Sequence, residues 1–218
     1  MRLGPFDTSR INVRSSDGGG GGVGRAGGIG CGTLIIALIG ALVFGLDPMS
    51  TINLVEGVQQ QVGPAQTGGN SGLSETEVCT SSAYATEACN ALTSLDATWE
   101  ATFARAGIPF EQPVLDLYQG GRVTTEGCGS ASSAVGPFYC PADKGIYIDT
   151  GFYDQLAQMS GTGGDFARLY VLAHEYGHHI QTNTGLASQV RRAQQQNPSA
   201  ANSLQVAMEL QADCYAGM

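Results

Sequence analysis

The stretch that most constrains the fold is "YVLAHEYGHHIQ", which runs from Tyr170 to Gln181 and holds all three histidines of the chain. Apolar residues recur in and around it at steps of three and four, namely Phe166, Leu169, Leu172, Ala173 and Ile180. This spacing predicts a helix that begins at Asp165, a suitable cap, and runs to about Gln181 with one mostly apolar face. The histidines are therefore expected on a helix that packs against the rest of its domain.

Within this helix, His174, Glu175 and His178 form an H-E-x-x-H motif. His174 and His178 are one turn apart, so both imidazoles face the same way and can bind one metal ion. Glu175 is rotated by about 100° from His174, so its carboxylate can reach a water molecule without being a ligand. Zinc hydrolases need two such nitrogen ligands, a carboxylate base and a position open to water. The motif therefore predicts zinc hydrolysis, with a chance match on a surface helix as the alternative.

His179 is the competing ligand. It follows His174 by five residues, which rotates it by roughly 140° from the face that His174 and His178 share. We therefore predict that His178 binds the metal and that His179 packs against or supports the site.

The third ligand must come from a later part of the chain. The zincin template in which another histidine follows the motif fails, because no histidine follows His179. The segment "MELQADCYAG" belongs to a predicted helix from Ala200 to about Ala216, on which Glu209 and Asp213 are one turn apart. We predict that Glu209 is the third ligand and that Asp213 accepts the free N–H of His174 and fixes its tautomer. An ordinary solvated acidic face is the alternative.

The remaining periodicity predicts an α+β domain over residues 75–218. Apolar residues at helical spacing predict a helix from Ala83 to Ala106, and a shorter helix is predicted from Ala187 to Gln195. Alternating residues predict strands over Pro113–Tyr118 and Gly145–Thr150. A small sheet would thus precede the active-site helix and the third-ligand helix, as in a zincin-like minidomain.

The N-terminal third has a different composition. Residues 1–26 are polar and glycine-rich, which predicts a disordered tail. Residues 27–46 are uncharged and about as long as a membrane-crossing helix, and the arginines before them predict a cytoplasmic N-terminus with the domain outside. Residues 47–74 predict a flexible linker. A cleaved signal peptide, a lipoprotein signal and a buried core helix remain as alternatives for 27–46.

Cysteine usage fits an exported domain. Cys79 and Cys89 form one local pair, and Cys128 and Cys140 form another, so an oxidising compartment would favour a bridge within each pair. The sequence leaves the connectivity open, and buried free thiols are the alternative. The net charge of -9, without a basic patch, argues against a nucleic-acid partner.

Three segments resemble the bacterial neutral zinc metallopeptidases: "YVLAHEYGHHIQ", "ELQADCYAG" and "GPFYCPADKGIYIDTGFYDQL" (residues 136–156). These are membrane-anchored proteins similar to small zincins with a glutamate ligand. The resemblance implies zinc bound by His174, His178 and Glu209, with Glu175 as the catalytic base and a peptide or protein as substrate. It also implies that "GIYIDT" is the strand beside the cleft, which would pair with an extended peptide.

The end of the chain departs from the family pattern. Zincins of this type take a transition-state hydrogen-bond donor, a histidine or tyrosine, from a later segment, whereas this sequence stops at Met218. We therefore expect either a C-terminally truncated fragment or an earlier donor such as Tyr147. The predicted function is a membrane-anchored zinc peptidase. A catalytically impaired, zinc-binding, membrane-tethered scaffold is the main alternative, and hydrolysis of a non-peptide amide is another.

Overall fold

The computed structural model describes residues 3–16, 72–160 and 164–218. The strands of these residues are β1 (Asn12–Arg14), β2 (Val114–Tyr118), β3 (Arg122–Thr124), β4 (Ser130–Ser132), β5 (Phe138–Cys140) and β6 (Gly145–Asp149). The α-helices are α1 (Glu75–Thr80), α2 (Ala83–Ala106), α3 (Thr150–Ser160), α4 (Asp165–Asn183), α5 (Leu186–Gln196) and α6 (Ala201–Ala216). Short 3-10 turns lie at Ser133–Val135 and Pro198–Ala200. This mixture confirms the predicted α+β class.

The main sheet has four strands in the order β1-β2-β6-β5. β1, β2 and β6 are parallel, whereas β5 runs antiparallel to β6. Leu115 pairs with Ile146 and belongs with it to the main core beneath the helices. Tyr118 and Tyr147 belong to a second cluster with Val123 of the small β3-β4 sheet. Both faces of the central strands are therefore covered, which explains why their sequences are mostly apolar.

Helix α4 lies at the centre of the domain, in contact with α2, α5, α6 and β5. Tyr176 and Ile180 are buried in the main core. The Tyr176 hydroxyl donates a hydrogen bond to Asp96 Oδ1 of α2 at 2.6 Å. The opposite side of α4 packs on α6, so the two helices expected to bind metal are neighbours.

The N-terminal tail differs from the prediction. We predicted disorder for residues 1–26, but residues 12–14 form β1 and pair in parallel with β2. Ile11 and Val13 are buried in the main core. The prediction was wrong for residues 3–16 because the glycine run at 18–22 dominates the composition of the tail and hides a short alternating segment, "INVR".

The predicted single-pass topology is also wrong. No helix within residues 3–16, 72–160 and 164–218 is long and apolar enough to span a membrane. The predicted span, residues 27–46, and residues 47–71 of the predicted linker lie outside the described residues. One crossing at 27–46 would place β1 and β2 on opposite sides of the membrane, whereas the two strands are paired in one sheet.

The four cysteines of the two local pairs form two disulfide bonds. Cys79 bonds to Cys89 and ties α1 to α2, and Cys128 bonds to Cys140 and ties a loop to β5. Cys214, on α6, is exposed and is the free cysteine among the described residues.

Candidate metal centre

Two helices bring the three predicted ligands together. His174 and His178 project from α4, and Glu209 projects from α6. Glu209 Oε2 lies 3.3 Å from Nε2 of each histidine. One ligand atom from each residue lies within 4.8 Å of the other two, a spacing that suits a single metal ion. The cluster is largely shielded from water, since His174 is 1% exposed and Glu209 is 6% exposed.

Close approach of α4 and α6 depends on Gly177, between the two histidines. A Cβ atom added at Gly177 would lie 2.9 Å from both Cα and the carbonyl oxygen of Ala212 on α6. Any side chain here would therefore push the helices apart and withdraw Glu209 from the histidines. We did not single out this residue from the sequence, although a glycine inside a strongly helical pattern is the signal that would have indicated a packing role.

The tautomers of both histidines follow from their partners. His174 Nδ1 lies 2.7 Å from Asp213 Oδ1, a carboxylate oxygen that can only accept, so Nδ1 carries the proton. The Tyr170 hydroxyl donates to the same oxygen. His178 Nδ1 lies 2.9 Å from Gln181 Oε1. With both Nδ1 atoms engaged, the Nε2 lone pairs are left to face the cluster.

Glu209 has an orienting partner of its own. Gln205 Nε2 donates to Glu209 Oε1 at 2.7 Å, which leaves Oε2 facing the histidines. We predicted the role of Asp213 but not those of Gln205, Gln181 or Tyr170. Each of the three lies about one helical turn from a predicted ligand: Gln205 from Glu209, Gln181 from His178 and Tyr170 from His174. Helical spacing from the ligands was therefore the available signal.

Glu175 is buried beside this cluster, with 1% of its surface exposed. Neither of its carboxylate oxygens has a hydrogen-bond partner of normal geometry among the described residues. Burial raises the pKa of Glu175 to about 7, although the neighbouring imidazoles and the backbone N–H of Tyr139 in β5 act to lower it. A buried carboxylate without partners is costly, and such groups are found where a ligand or water completes the site.

The charges of the cluster attract a cation. Burial would raise the pKa of Glu209, but its contacts with His174 and His178 lower it to about 2. Burial would lower the pKa of His178, but the carboxylates of Glu209 and Glu175 raise it to about 9. Positive charge at the Nε2 atoms is therefore favoured.

The donor set fits zinc. Two imidazole nitrogens and one carboxylate oxygen are the protein ligands of a catalytic zinc ion, which keeps a further position for water. His178 Nε2 is buried and makes no hydrogen bond to the described part of the chain, as a metal-binding lone pair would. Within those same residues the cluster consists of His174, His178 and Glu209 alone, which leaves a position for a non-protein ligand.

His179 lies apart from the cluster. Its Nε2 is 2.6 Å from the carbonyl oxygen of Glu111, so it donates there. Its ring packs against the rings of Phe110, Tyr139 and Tyr176. Burial lowers the pKa of His179 to about 4, so the imidazole is neutral and supports packing on the far side of α4.

Tyr147, the proposed transition-state donor, is engaged elsewhere. Its hydroxyl lies 2.9 Å from Arg14 Nη2 and donates to Asp143 Oδ2 at 2.8 Å, and its ring stacks on Phe138. None of these contacts involves the described residues of the metal cluster. The hydrogen bonds of the Tyr147 hydroxyl thus go to Arg14 and Asp143.

The strand "GIYIDT" also differs from its predicted role. It forms β6, which is paired with β2 on one side and with β5 on the other, so it has no free edge for a peptide. The edge strand on this side of the sheet is β5, and its Tyr139 N–H lies beside Glu175. Alternation in the sequence indicates a strand but does not give its position in the sheet.

Together, the fold and the cluster define an α+β protein with a candidate three-ligand metal site on two adjacent helices. A sequence model of the family described as "Putative neutral zinc metallopeptidase" matches residues 7–218. The chain belongs to this family, whose name implies zinc.

Two bacterial relatives show the extent of the similarity. The chain is 48% identical over 128 residues to the "Uncharacterized protein YpfJ" of Escherichia coli (strain K12), which covers 58% of this chain and 44% of that protein. It is 49% identical over 126 residues to the "Uncharacterized protein Rv2575" of Mycobacterium tuberculosis (strain ATCC 25618 / H37Rv), which covers 57% and 40%. The match thus spans less than half the length of these relatives. No solved structure matches the chain significantly.

Proposed function

We propose that this protein hydrolyses peptide bonds in a zinc-dependent reaction. The observation that carries the proposal is the buried carboxylate of Glu175, which has no hydrogen-bond partner among the described residues and lies beside a three-ligand cluster. Structural zinc sites fill all four positions with protein ligands, whereas catalytic sites use three and leave one open. The arrangement therefore supports catalysis more than a purely structural ion.

Each residue of the cluster has a role in this reaction. His174, His178 and Glu209 would hold the zinc ion, which when bound lowers the pKa of a water molecule and polarises the substrate carbonyl. Glu175 accepts a proton from the attacking water on a free carboxylate oxygen and then donates it to the leaving amine. Asp213 keeps His174 in one tautomer and orientation throughout.

We further propose that an extended peptide binds along the edge of β5. This strand lies at the edge of the main sheet, and its Tyr139 is beside the catalytic base. Main-chain hydrogen bonds to a free sheet edge hold a peptide extended and are largely independent of its sequence. A peptide or protein substrate is thus favoured over a small amide.

The test is the substitution Glu175→Gln, which keeps the size of the side chain and removes the base. Zinc affinity should remain within a few-fold of wild type, whereas kcat for an unfolded protein substrate should fall by about 10²- to 10⁴-fold. Glu100→Gln, at an exposed surface ion pair with Arg10, makes the same chemical change away from the cluster and should leave kcat unchanged. Equal kcat for wild type and Glu175→Gln would refute the mechanism.

A catalytically impaired zinc-binding scaffold is the other outcome. It would be indicated if the zinc-loaded wild type bound one zinc ion tightly and cleaved neither unfolded proteins nor peptide mixtures.

A further inference from the structure

We infer that Gln181 is a positioning residue, which fixes the tautomer of His178 and locks the active-site helix to the third-ligand helix. The inference rests on the proposed zinc site. It starts from the burial of the Gln181 side chain, which is fully shielded from water on α4 at the contact with α6. A buried amide must satisfy its polar atoms inside the protein, so its partners determine its orientation.

The orientation of the amide is determined on α6. Gln181 Nε2 lies 2.7 Å from the main-chain oxygen of Met208 and 3.0 Å from Gln211 Oε1. A carbonyl oxygen can only accept a hydrogen bond, so the Gln181 atom that faces Met208 must be the NH₂ group. The Gln181 oxygen is then the atom that faces His178 Nδ1, at 2.9 Å.

This orientation decides which nitrogen of His178 carries the proton. The Gln181 oxygen can only accept, so His178 Nδ1 must donate. A metal ion replaces the proton on the nitrogen that it binds, so with the N–H held at Nδ1 the lone pair for the metal is on His178 Nε2. That atom lies 3.3 Å from Glu209 Oε2 and makes no hydrogen bond to the described residues, which is the state that metal binding requires.

Gln181 also couples the two halves of the site. Met208 directly precedes Glu209, so the amide that orients a histidine on α4 is bonded to the backbone next to the ligand on α6. A shift of α6 along α4 would therefore break this hydrogen bond and displace Glu209 at the same time. Gln181 thus serves His178 as Asp213 serves His174, but with a neutral acceptor that adds no charge to the cluster.

The test compares three variants of the full chain. Gln181→Met keeps the volume and removes all three hydrogen bonds of the amide, whereas Gln181→Glu keeps an acceptor for His178. Gln189→Met, at an exposed position on α5, is the matched control. Zinc affinity is measured by competition with a chromophoric chelator, and the visible spectrum of the Co²⁺-loaded protein reports ligand geometry independently of activity.

Gln181→Met should weaken zinc binding by about 10- to 100-fold and change the Co²⁺ spectrum, because loss of an orienting partner has effects of this size. Gln181→Glu should recover most of the affinity and the wild-type spectrum, and Gln189→Met should match wild type. Folding of each variant is checked by circular dichroism. If Gln181→Met does not fold, Gln181→Glu decides: near-wild-type affinity and spectrum support the role, and a loss beyond 100-fold in the folded variant refutes it.

The outcomes separate this inference from the proposed function. Wild-type protein that binds no zinc would refute the metal site and the role of Gln181 with it. Zinc binding by wild type, with equal affinity and spectrum in Gln181→Met, would refute the inference alone. Equal losses in Gln181→Met and Gln181→Glu would refute the tautomer role, since an acceptor for His178 would then make no difference to zinc binding.

Discussion

Two buried carboxylates carry raised pKa values: Glu175, on α4, and Asp96, on the neighbouring helix α2. Burial raises the pKa of each to about 7. Glu175 has no hydrogen-bond partner among the described residues, whereas Asp96 accepts hydrogen bonds from Tyr176 at 2.6 Å and Gln112 at 3.2 Å. The free carboxylate is available for chemistry, and the bonded one anchors α4 to α2.

The raised pKa of Asp96 predicts that the stability of the domain depends on pH. The pKa of its carboxyl rises from 3.8 to about 7 on folding, so between these values the unfolded chain ionises while the folded protein retains the proton. The free energy of unfolding should therefore fall as pH rises from about 4 to 7, by an amount on the order of a few kcal/mol. Asp96→Asn cannot ionise, so urea unfolding should show this variant gaining stability relative to wild type from pH 5 to pH 8.

Comparison of wild type with Asp96→Asn cancels the contributions of the other titrating groups to the unfolding free energy, because both proteins contain those groups. The difference between their unfolding free energies is the measured quantity, followed by circular dichroism in metal-free buffer. A difference that stays constant from pH 5 to pH 8 would show that Asp96 is already ionised in the folded protein.

The candidate site residues that lie close to one another in the sequence were the easiest to predict. The pairing of His174 with His178 follows from helical spacing alone, because four residues make about one turn. Asp213 was predicted from its spacing to Glu209. Gln181 was not, because an amide has no chemical signature until its partners are known.

At the level of elements, the site depends on how closely α4 and α6 can approach. Neither helix carries all three ligands, so the crossing geometry determines whether a metal ion can bind. Gly177 and Ala212 are in contact at this crossing, and both are small.

Gly177→Ala should therefore weaken zinc binding, although alanine favours a helix more than glycine does by about 1 kcal/mol. The added Cβ would lie 2.9 Å from the backbone of Ala212, which cannot rotate away, so the helices must separate. We expect at least a tenfold loss of zinc affinity and a destabilisation of about 1–3 kcal/mol. Both are measurable, by chelator competition and by thermal unfolding.

Gly4→Ala is the control, since a Cβ there meets nothing within 4 Å. Unchanged zinc affinity in Gly177→Ala would mean that α6 can shift without moving Glu209, and would contradict the account of the helix crossing.

The long helices α2, α4 and α6 could be predicted, whereas the three-residue strands could not. The helix predicted for Ala83–Ala106 has those bounds, because Ser82 caps its start and Gly107 adopts a left-handed conformation at its end. Strands β3, β4 and β5 have three residues each, too few for a periodic pattern. The order of strands depends on contacts distant in sequence, so the internal position of β6 could not be inferred from its alternation.

At the level of the whole molecule, the N-terminal segment is part of the domain. Arg14 Nε lies 2.7 Å from Asp116 Oδ2, whose side chain is completely buried, and Ser16 donates to the same carboxylate. The segment thus supplies the cation that compensates a buried charge in β2. It lies in the same compartment as the metal cluster, contrary to the topology predicted from the distribution of arginines.

Arg14→Ala should strongly destabilise the domain, because it leaves Asp116 buried without its cation. Loss of one partner from such a pair costs about 3–5 kcal/mol. Arg10→Ala removes an exposed ion pair with Glu100, so its effect should be below about 1 kcal/mol. The midpoint of denaturant unfolding distinguishes them, and equal midpoints for the two variants would show that the Arg14–Asp116 pair does not stabilise the domain.

The central claim is that His174, His178 and Glu209 form one catalytic zinc site. Zinc analysis combined with X-ray absorption at the zinc edge tests it most directly. The predicted result is one zinc ion per chain with two imidazole ligands and further oxygen ligands, all at about 2.0–2.2 Å. Absence of stoichiometric zinc, or a sulfur ligand at about 2.3 Å, would contradict the claim.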